Sequence, residues 1–406
     1  MNEGENVINY KIFIGLSGGL GPLSRTFPIA EECSKSGMEV CFSIYDESAI
    51  KIIESAGYKV LMDDDPTMPR KEFLLNPTST FYNLDQYYAQ MGLLDPKFTD
   101  SWIAHRINML NRYKPDLVIT DLSPNTMIAA KFLGIPTLSI VQSCLHPDGM
   151  PFHDEVPRNL PKVTTIINNI LKKLDMNPIN RIEELSIGTK TIVPSFPEID
   201  PIFSKDIEYV GPISMNFIHY GNTVPDKERY VLVYPGRLQD TTGETGLKIV
   251  EQVTQVSKKL PELHFVIAST EKDHQMFTWE LPKNVSLIPY FNEYLLRKAS
   301  LFIHHGGHGS CLSSIVTSTP SLVLPTHSER FFNAKQIANY KFGDYIIPDT
   351  TTINQLSNMI EFMVNDPSYQ NNIRLFQKEI KSRDYKGEIK VFDIVCSLLK
   401  SEQSKL

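Results

Sequence analysis

Short, wholly apolar runs recur along this chain with amphipathic stretches between them. KIFIGL, EVCFSIY, YKVLM, PDLVIT and PTLSIV lie in the first half, and YVLVYP, HFVIAS, VSLIP, LFIHH and PSLVLP in the second. A strand that is apolar on both faces has to be covered on both faces, which is the condition of a parallel sheet with helices on either side. The intervening stretches, among them FPIAEECSKSG, ESAIKIIESAG and PNTMIAAKFLG, carry apolar residues at helical spacing. Strands alternating with helices in this way predict α/β, doubly wound parallel sheets. The alternation breaks in GPISMNFIHYGNTVPDKER, where proline, glycine and charge mix without periodicity, and then restarts. At 406 residues the chain exceeds one ordinary core, so two successive doubly wound units are expected.

Composition narrows the function classes. A formal net charge of −7 argues against nucleic acid or anionic lipid as the main partner. Cys33, Cys41, Cys144, Cys311 and Cys396 are scattered, without paired metal spacing, and read as reduced core thiols. The stretch MNEGENVINYK is polar and acidic, unlike a secretory leader, and no apolar run approaches the ~20 residues of a membrane span. A cytoplasmic protein with no membrane span is expected.

The strongest local signal is LFIHHGGHGSCLSSIVTSTPSLVLPTHSERFFNAKQI. Gly306, Gly307 and Gly309 permit close backbone approach, and Ser310 follows where a helix begins and its free N–H groups and dipole favour an anion. A second loop, PTHSERFFNA, follows the next strand. In open parallel sheets such loops gather at the C-terminal strand edge, where ligands bind. His304, His305 and His308 lack a carboxylate at ligand spacing and a helical i, i+4 pair, so no metal is expected there. The acids of DDDP at 63–66 read as a solvated turn.

Taken together, His305-Gly306-Gly307, Gly309-Ser310, Thr319-Pro320, Glu329-Arg330 and Asn333-Ala334 stand in ungapped order. The pattern resembles the donor-binding region of the UDP-glycosyltransferase superfamily, especially its bacterial natural-product and macrolide-type members. The resemblance implies the GT-B architecture: two facing Rossmann-like domains, with residues 1–215 binding the acceptor and 216–385 the nucleotide sugar. Residues 386–406 would form a helix returning to the first domain. It also implies a nucleotide sugar as co-substrate, a small-molecule acceptor, and neither cofactor nor metal; it leaves the oligomeric state open.

By the same resemblance, His305 and the amides around Gly306, Gly307, Gly309 and Ser310 would hold a diphosphate, and Glu329 would accept hydrogen bonds from sugar hydroxyls. In VSLIPYFNEYLL, either Tyr290 or Phe291 stacks on the nucleobase, or both are core aromatics. Gly236 and Arg237 in VYPGRLQ would face the donor; Arg237 is alternatively a solvated loop charge. Arg330 departs from the glutamine usual in the family. Its fork either meets an acidic or otherwise unusual sugar, or pairs with Glu329 or another carboxylate.

A second departure lies at the other end of the chain. The family opens with a strand, then G-H-x-x-[PR], and setting SKSGMEV on the family's following turn puts Gly21 on the motif glycine and Arg25 on its last position. Pro22 then falls on the histidine that deprotonates the acceptor in inverting members; the alternative frame puts Gly19 there. Asp121, after PDLVIT, matches the aspartate that steadies that histidine. Proline has no titratable group, so Asp121 itself, His146 or His153 would serve as base, or the acceptor needs little deprotonation. The segment FLLNPTSTFYNLDQYYAQMGLL either shapes an acceptor cleft or packs onto its own domain. The reading is an inverting glycosyltransferase using a UDP- or dTDP-linked sugar. A degenerate, non-catalytic relative acting as activator or stabilising partner is the alternative, and a nucleotide-sugar epimerase a more distant one.

Overall fold

The computed structural model describes residues 10–63, 67–76, 78–213, 230–239, 243 and 245–403. The stretch 1–9, residues 64–66 of DDDP and most of the expected linker, 214–229, lie outside them. The chain groups into two compact units. One comprises residues 1–76, 82–215 and 385–406; the other comprises 77–81 and 216–384. Residues 77–81, from the first half of the chain, thus belong to the second unit, an excursion that the expected boundaries do not contain.

The first unit runs β1 (Lys11–Leu16), α1 (Leu20–Lys35), β2 (Glu39–Ser43), α2 (Glu47–Ser55), β3 (Lys59–Val60), α3 (Leu84–Gln90), α4 (Pro96–Tyr113), β4 (Leu117–Asp121), α5 (Pro124–Phe132), β5 (Thr137–Ile140), α6 (Val163–Lys173), β6 (Lys190–Val193) and β7 (Ile207–Tyr209). The second runs β8 (Tyr230–Tyr234), α7 (Thr245–Ser257), β9 (His264–Ala268), α8 (Glu271–His274), β10 (Val285–Ile288), α9 (Glu293–Lys298), β11 (Leu301–His304), α10 (His308–Thr317), β12 (Ser321–Val323), α11 (Ser328–Asn339), β13 (Gly343–Tyr345), α12 (Ile353–Asn365) and α13 (Ser368–Ile380). A last helix, α14 (Glu388–Gln403), belongs to the first unit.

Both sheets are parallel in every described pairing, with strand orders β3-β2-β1-β4-β5-β6-β7 and β10-β9-β8-β11-β12-β13. The expected Rossmann-like, doubly wound class holds for each. The strand order reverses between β1 and β4 in one sheet and between β8 and β11 in the other. These are the switch points at which open α/β sheets bind ligands.

The apolar runs become strands because burial on both faces removes their side chains from water; Ile12, Phe13, Ile14 and Leu16 of β1 are fully buried. YKVLM shrinks to Lys59–Val60 at the sheet edge. α1 begins at Leu20, ahead of the FPIAEECSKSG stretch, so Gly21 to Arg25 form its first turns. Pro22 fits there because the first N–H groups of a helix have no intrahelical partner to lose.

α14 packs across α1, and its Val391, Ile394, Val395, Leu398 and Leu399 join one core with Phe27, Ile29 and the β1, β2 and β4 residues. Leu399 is 3% exposed in that core. Leu399→Ala is therefore expected to destabilise the first unit by about 2–4 kcal/mol, read as a lower urea midpoint of its unfolding transition.

Candidate functional site

The second unit gathers most of the expected donor residues at its own switch point. β8 leads into the turn of Gly236, and β11 leads into His305, Gly306 and Gly307 before α10 opens. Gly236 has φ +74, and a Cβ there would stand 2.9 Å from His305 Cγ. On the other side, a Cβ at Gly307 would meet His305 Nε2 at 2.7 Å. The imidazole is wedged between two glycines, with the Tyr234 ring at 5.3 Å across its edge. It is 8% exposed, and its Nδ1 is buried with no hydrogen-bond partner among the described residues. Burial first, then the nearby Arg330, His304 and His327, push its pKa well below the usual histidine value. It is a neutral ring with one unused polar atom.

His304 is built differently. It is fully buried, its Nδ1 accepts the Gly306 N–H at 3.2 Å, and its Nε2 lies 3.1 Å from Ser321 Oγ. A backbone donor on Nδ1 leaves the proton on Nε2, which donates to the serine. Burial pulls its pKa down to about 3. His304 therefore braces the glycine loop against β12.

α10 starts with Gly307 as its N-cap, and the first bond inside it runs from the Cys311 N–H to the Gly307 carbonyl at 3.1 Å. The N–H groups of His308, Gly309 and Ser310 head the helix without an i−4 acceptor, the arrangement that receives anions. His308 and Ser310 are buried.

The second loop closes on the first. Gly306 has φ +91, and a Cβ there would meet the Arg330 carbonyl at 2.8 Å and Arg330 Cβ at 3.0 Å. Asn333 Nδ2 donates to the Gly306 carbonyl at 3.0 Å and to Glu329 Oε1 at 3.3 Å. Glu329 and Arg330 stand in the first turn of α11, and an Arg330 Nη1 donates to Thr326 Oγ1.

Residues 78–81 complete this face. The Ser328 N–H donates to the Ser79 carbonyl at 3.0 Å, the Phe81 N–H donates to Ser328 Oγ at 2.9 Å, and the Phe81 ring lies 5.8 Å from that of His327. Sequence reading placed His327 in the second loop without giving it a role and did not bring Ser79–Phe81 to that loop, because nothing in the residues marks which loop an extended segment will pair with. Among the aromatics left open, Phe291 packs on Tyr234 and Phe302 as a core ring, while Tyr290 is 40% exposed at the end of β10. Arg237 is exposed.

At the switch point of the first unit the chemistry is of another kind. Pro22 is buried in the first turn of α1. One turn on, Arg25 Nε donates to Asp121 Oδ2 at 2.9 Å and its Nη2 to Oδ1 at 3.1 Å, with both side chains nearly inaccessible. The expectation that Asp121 takes the acceptor's proton meets a physical obstacle, since both its oxygens are held by a guanidinium. Leu122, next in the chain, has φ +52, and the Tyr88 hydroxyl donates to its carbonyl at 3.2 Å. A cavity of about 20 Å³ lies behind, lined by Tyr88, Leu122, Leu145 and Ile182, room for about one water.

His146 is 5% exposed and its Nδ1 accepts the Asp148 N–H at 3.0 Å, so its proton sits on Nε2. Burial lowers its pKa, countered by Asp148 and assisted by Arg181. The His153 ring lies 4.8 Å from that of Tyr82. Among the described residues no group of three or more His, Cys, Asp or Glu could hold a metal ion, and no helix is long and apolar enough to cross a membrane.

Comparison with known proteins places this geometry. Residues 254–392 match the family model for the erythromycin biosynthesis protein CIII-like C-terminal domain. A putative UDP-glucuronosyltransferase, ugt-50 of Caenorhabditis elegans, is 23% identical over 63% of this chain, which spans only 48% of that protein's length. An uncharacterized glycosyltransferase of Methanosarcina acetivorans is 22% identical over 91% of this chain and 93% of its own. The crystal structure of the glycosyltransferase VinC in complex with dTDP superposes with a TM-score of 0.68 at 16% identity, covering 96% of this chain and 100% of that one. The fold is that of the GT-B glycosyltransferases. Over residues 254–392 the chain resembles the macrolide-type glycosyltransferases, and over most of its length it is similar to glycosyltransferases.

Two outcomes follow from these placements. Arg25→Met strands a buried carboxylate and is expected to cost about 3–5 kcal/mol, while Arg25→Met with Asp121→Leu recovers most of that in urea unfolding. The depressed pKa values of His304, His305 and His327 mean that the unfolded chain binds more protons below its own histidine pKa of about 6.5. Their contribution to stability is complete above that pH and is lost as pH falls below it. His304→Gln is expected to flatten the decline in unfolding free energy measured from pH 7 to pH 5.

Proposed function

We propose that this chain transfers a sugar, with inversion at the anomeric carbon, from a UDP- or dTDP-linked donor to a small-molecule acceptor. The observation that carries the reading is His305. A desolvated, neutral imidazole with an unused Nδ1 stands beside the N-terminus of α10, under glycines that leave no room for any side chain but its own. In this reading the diphosphate of the donor takes the N–H groups of His308, Gly309 and Ser310, and His305 adds a further hydrogen bond. Leaving-group charge is then met by fixed dipoles, so the transfer needs no metal. Glu329, oriented by Asn333, accepts from sugar hydroxyls, and exposed Tyr290 is the aromatic available to a nucleobase.

On the acceptor side, Pro22 carries no proton, Asp121 is occupied by Arg25, and His146 presents an N–H. These placements favour an acceptor that attacks without a strong base, such as an amine or a carboxylate, over an alcohol. The same residues keep the alternative of a donor-binding partner protein in play, and turnover separates the two.

Calorimetric titration tests the donor half. Wild type is expected to bind UDP or dTDP, and His305→Ala to weaken that binding by about tenfold to a hundredfold, the range for losing one buried hydrogen bond to a charged group. Absence of binding to either nucleotide would sink the assignment. With the preferred sugar nucleotide, amine and hydroxyl acceptors compared at equal concentration should show turnover with the amine first, and NMR of the product should show the inverted anomer.

A further inference from the structure

We propose that His327 binds the terminal phosphate of the nucleoside diphosphate, as a second imidazole contributed by the loop next to that of His305. The inference rests on the donor reading above and adds a residue to it.

The two loops leave adjacent strands. β11 and β12 pair in parallel, with His304 opposite Val323, and the Leu324 N–H donates to the His304 carbonyl at 2.8 Å. The chain then runs His305-Gly306-Gly307 from one strand and Pro325-Thr326-His327 from the other, starting side by side at one sheet edge. They stay together beyond it. A Cβ on Gly306 would stand 2.8 Å from the Arg330 carbonyl, and Arg330 Nη1 donates back to Thr326 Oγ1. His327 ends the second loop as N-cap of α11, in extended backbone with φ −161. Its own carbonyl accepts the Phe331 N–H at 2.8 Å, and the Ser328 N–H that follows it donates to the Ser79 carbonyl at 3.0 Å. The backbone on both sides of the imidazole is therefore fixed.

The side chain is not used by this framework. It makes no capping hydrogen bond, and its Nδ1 is buried with no hydrogen-bond partner among the described residues. Its ring neighbour is Phe81, at 5.8 Å, which packs on it. A buried polar atom left in this state costs free energy until a partner arrives. Burial first, then Arg330, hold the His327 pKa well below the usual histidine value, so the ring is neutral and carries one N–H. His305 is depressed by the same two causes and by His327 itself, which places both imidazoles in one electrostatic neighbourhood. Each has a buried, unused Nδ1.

Two neutral imidazoles on adjoining loops match a ligand that carries several acceptor oxygens and lies across both. A diphosphate has that form. The head of α10 and His305 serve one part of it, and the oxygens nearer the second loop remain for His327. Glu329, read above as the acceptor for sugar hydroxyls, stands two residues further along the same loop. The sugar hangs from the terminal phosphate, so that phosphate is the one on the side of His327. An imidazole N–H donates to a phosphate oxygen without having to be charged itself.

Calorimetric titration of the full chain with UMP, UDP, dTMP and dTDP tests the assignment. Wild type should bind its preferred diphosphate more tightly than the matching monophosphate. His327→Phe keeps a ring against Phe81 and removes both nitrogens. It should weaken the diphosphate about tenfold or more, as loss of a hydrogen bond to a charged group implies, and leave the monophosphate within about twofold. His327→Asn, which keeps a side-chain N–H donor, should retain part of the affinity. The proposal is overturned if His327→Phe binds the diphosphate as wild type does, a result that leaves the donor reading standing. It is overturned equally if the monophosphate weakens to the same extent, the mark of a ring that only supports the loop. If wild type binds neither diphosphate, the donor reading itself falls, and this proposal with it.

Discussion

The His305 imidazole has nowhere else to go. Gly236 bounds it on one face and Gly307 on the other, and a methyl group at either would overlap the ring. Close-packed interiors transmit such constraints, because a side chain that cannot shift fixes the backbone around it. Three strands contribute: β8 delivers the Gly236 turn, β11 the histidine, and β12 the Ser321 that anchors His304 beneath. The Gly306 carbonyl then becomes the point on which Asn333 fastens the second loop. Gly236 and Gly307 are fixed by this packing arrangement.

The first unit solves the same topological problem with charge. Its switch point is closed by the buried Arg25–Asp121 pair, which joins the first turns of α1 to the end of β4. Such a pair contributes little net stability over an apolar substitute but is costly to break on one side, so it fixes geometry more than it adds free energy. The consequence for chemistry is direct. A carboxylate forked by guanidinium is a poor proton acceptor, and the neighbouring proline offers nothing.

Much of this was legible in the sequence, and the reasons differ by element. The apolar runs of β1, β4, β8 and β11 identify themselves because central parallel strands are buried on both faces. The glycine loop reads as an anion site because glycines, a polar residue and a helix start have to coincide there. β13, by contrast, is Gly-Asp-Tyr, with no apolar run to announce it; it exists because its backbone can approach Ser321 closely. α1 begins ahead of the FPIAEECSKSG stretch that reveals it, because at the third helical position Pro22 has no intrahelical hydrogen bond to lose. The Arg25 partnership spans 96 residues of sequence and left no local trace. Residues 78–81 were invisible for the same reason, since extended polar chain pairs wherever tertiary structure offers donors and acceptors.

The departures from the family pattern are more informative when taken together than singly. By the resemblance drawn from the sequence, Pro22 and Arg330 stand where the family pattern has a histidine and a glutamine. A relaxed, non-functional site would be expected to lose its packing as well, with the glycines that crowd His305 replaced and the imidazole orphaned in a widened pocket. Instead Gly236, Gly306 and Gly307 all remain at positions where a methyl group would collide. His305 keeps a buried Nδ1 with no hydrogen-bond partner among the described residues, an arrangement that costs free energy. The close packing is thus kept at the loop where, in the proposed reading, a donor would bind.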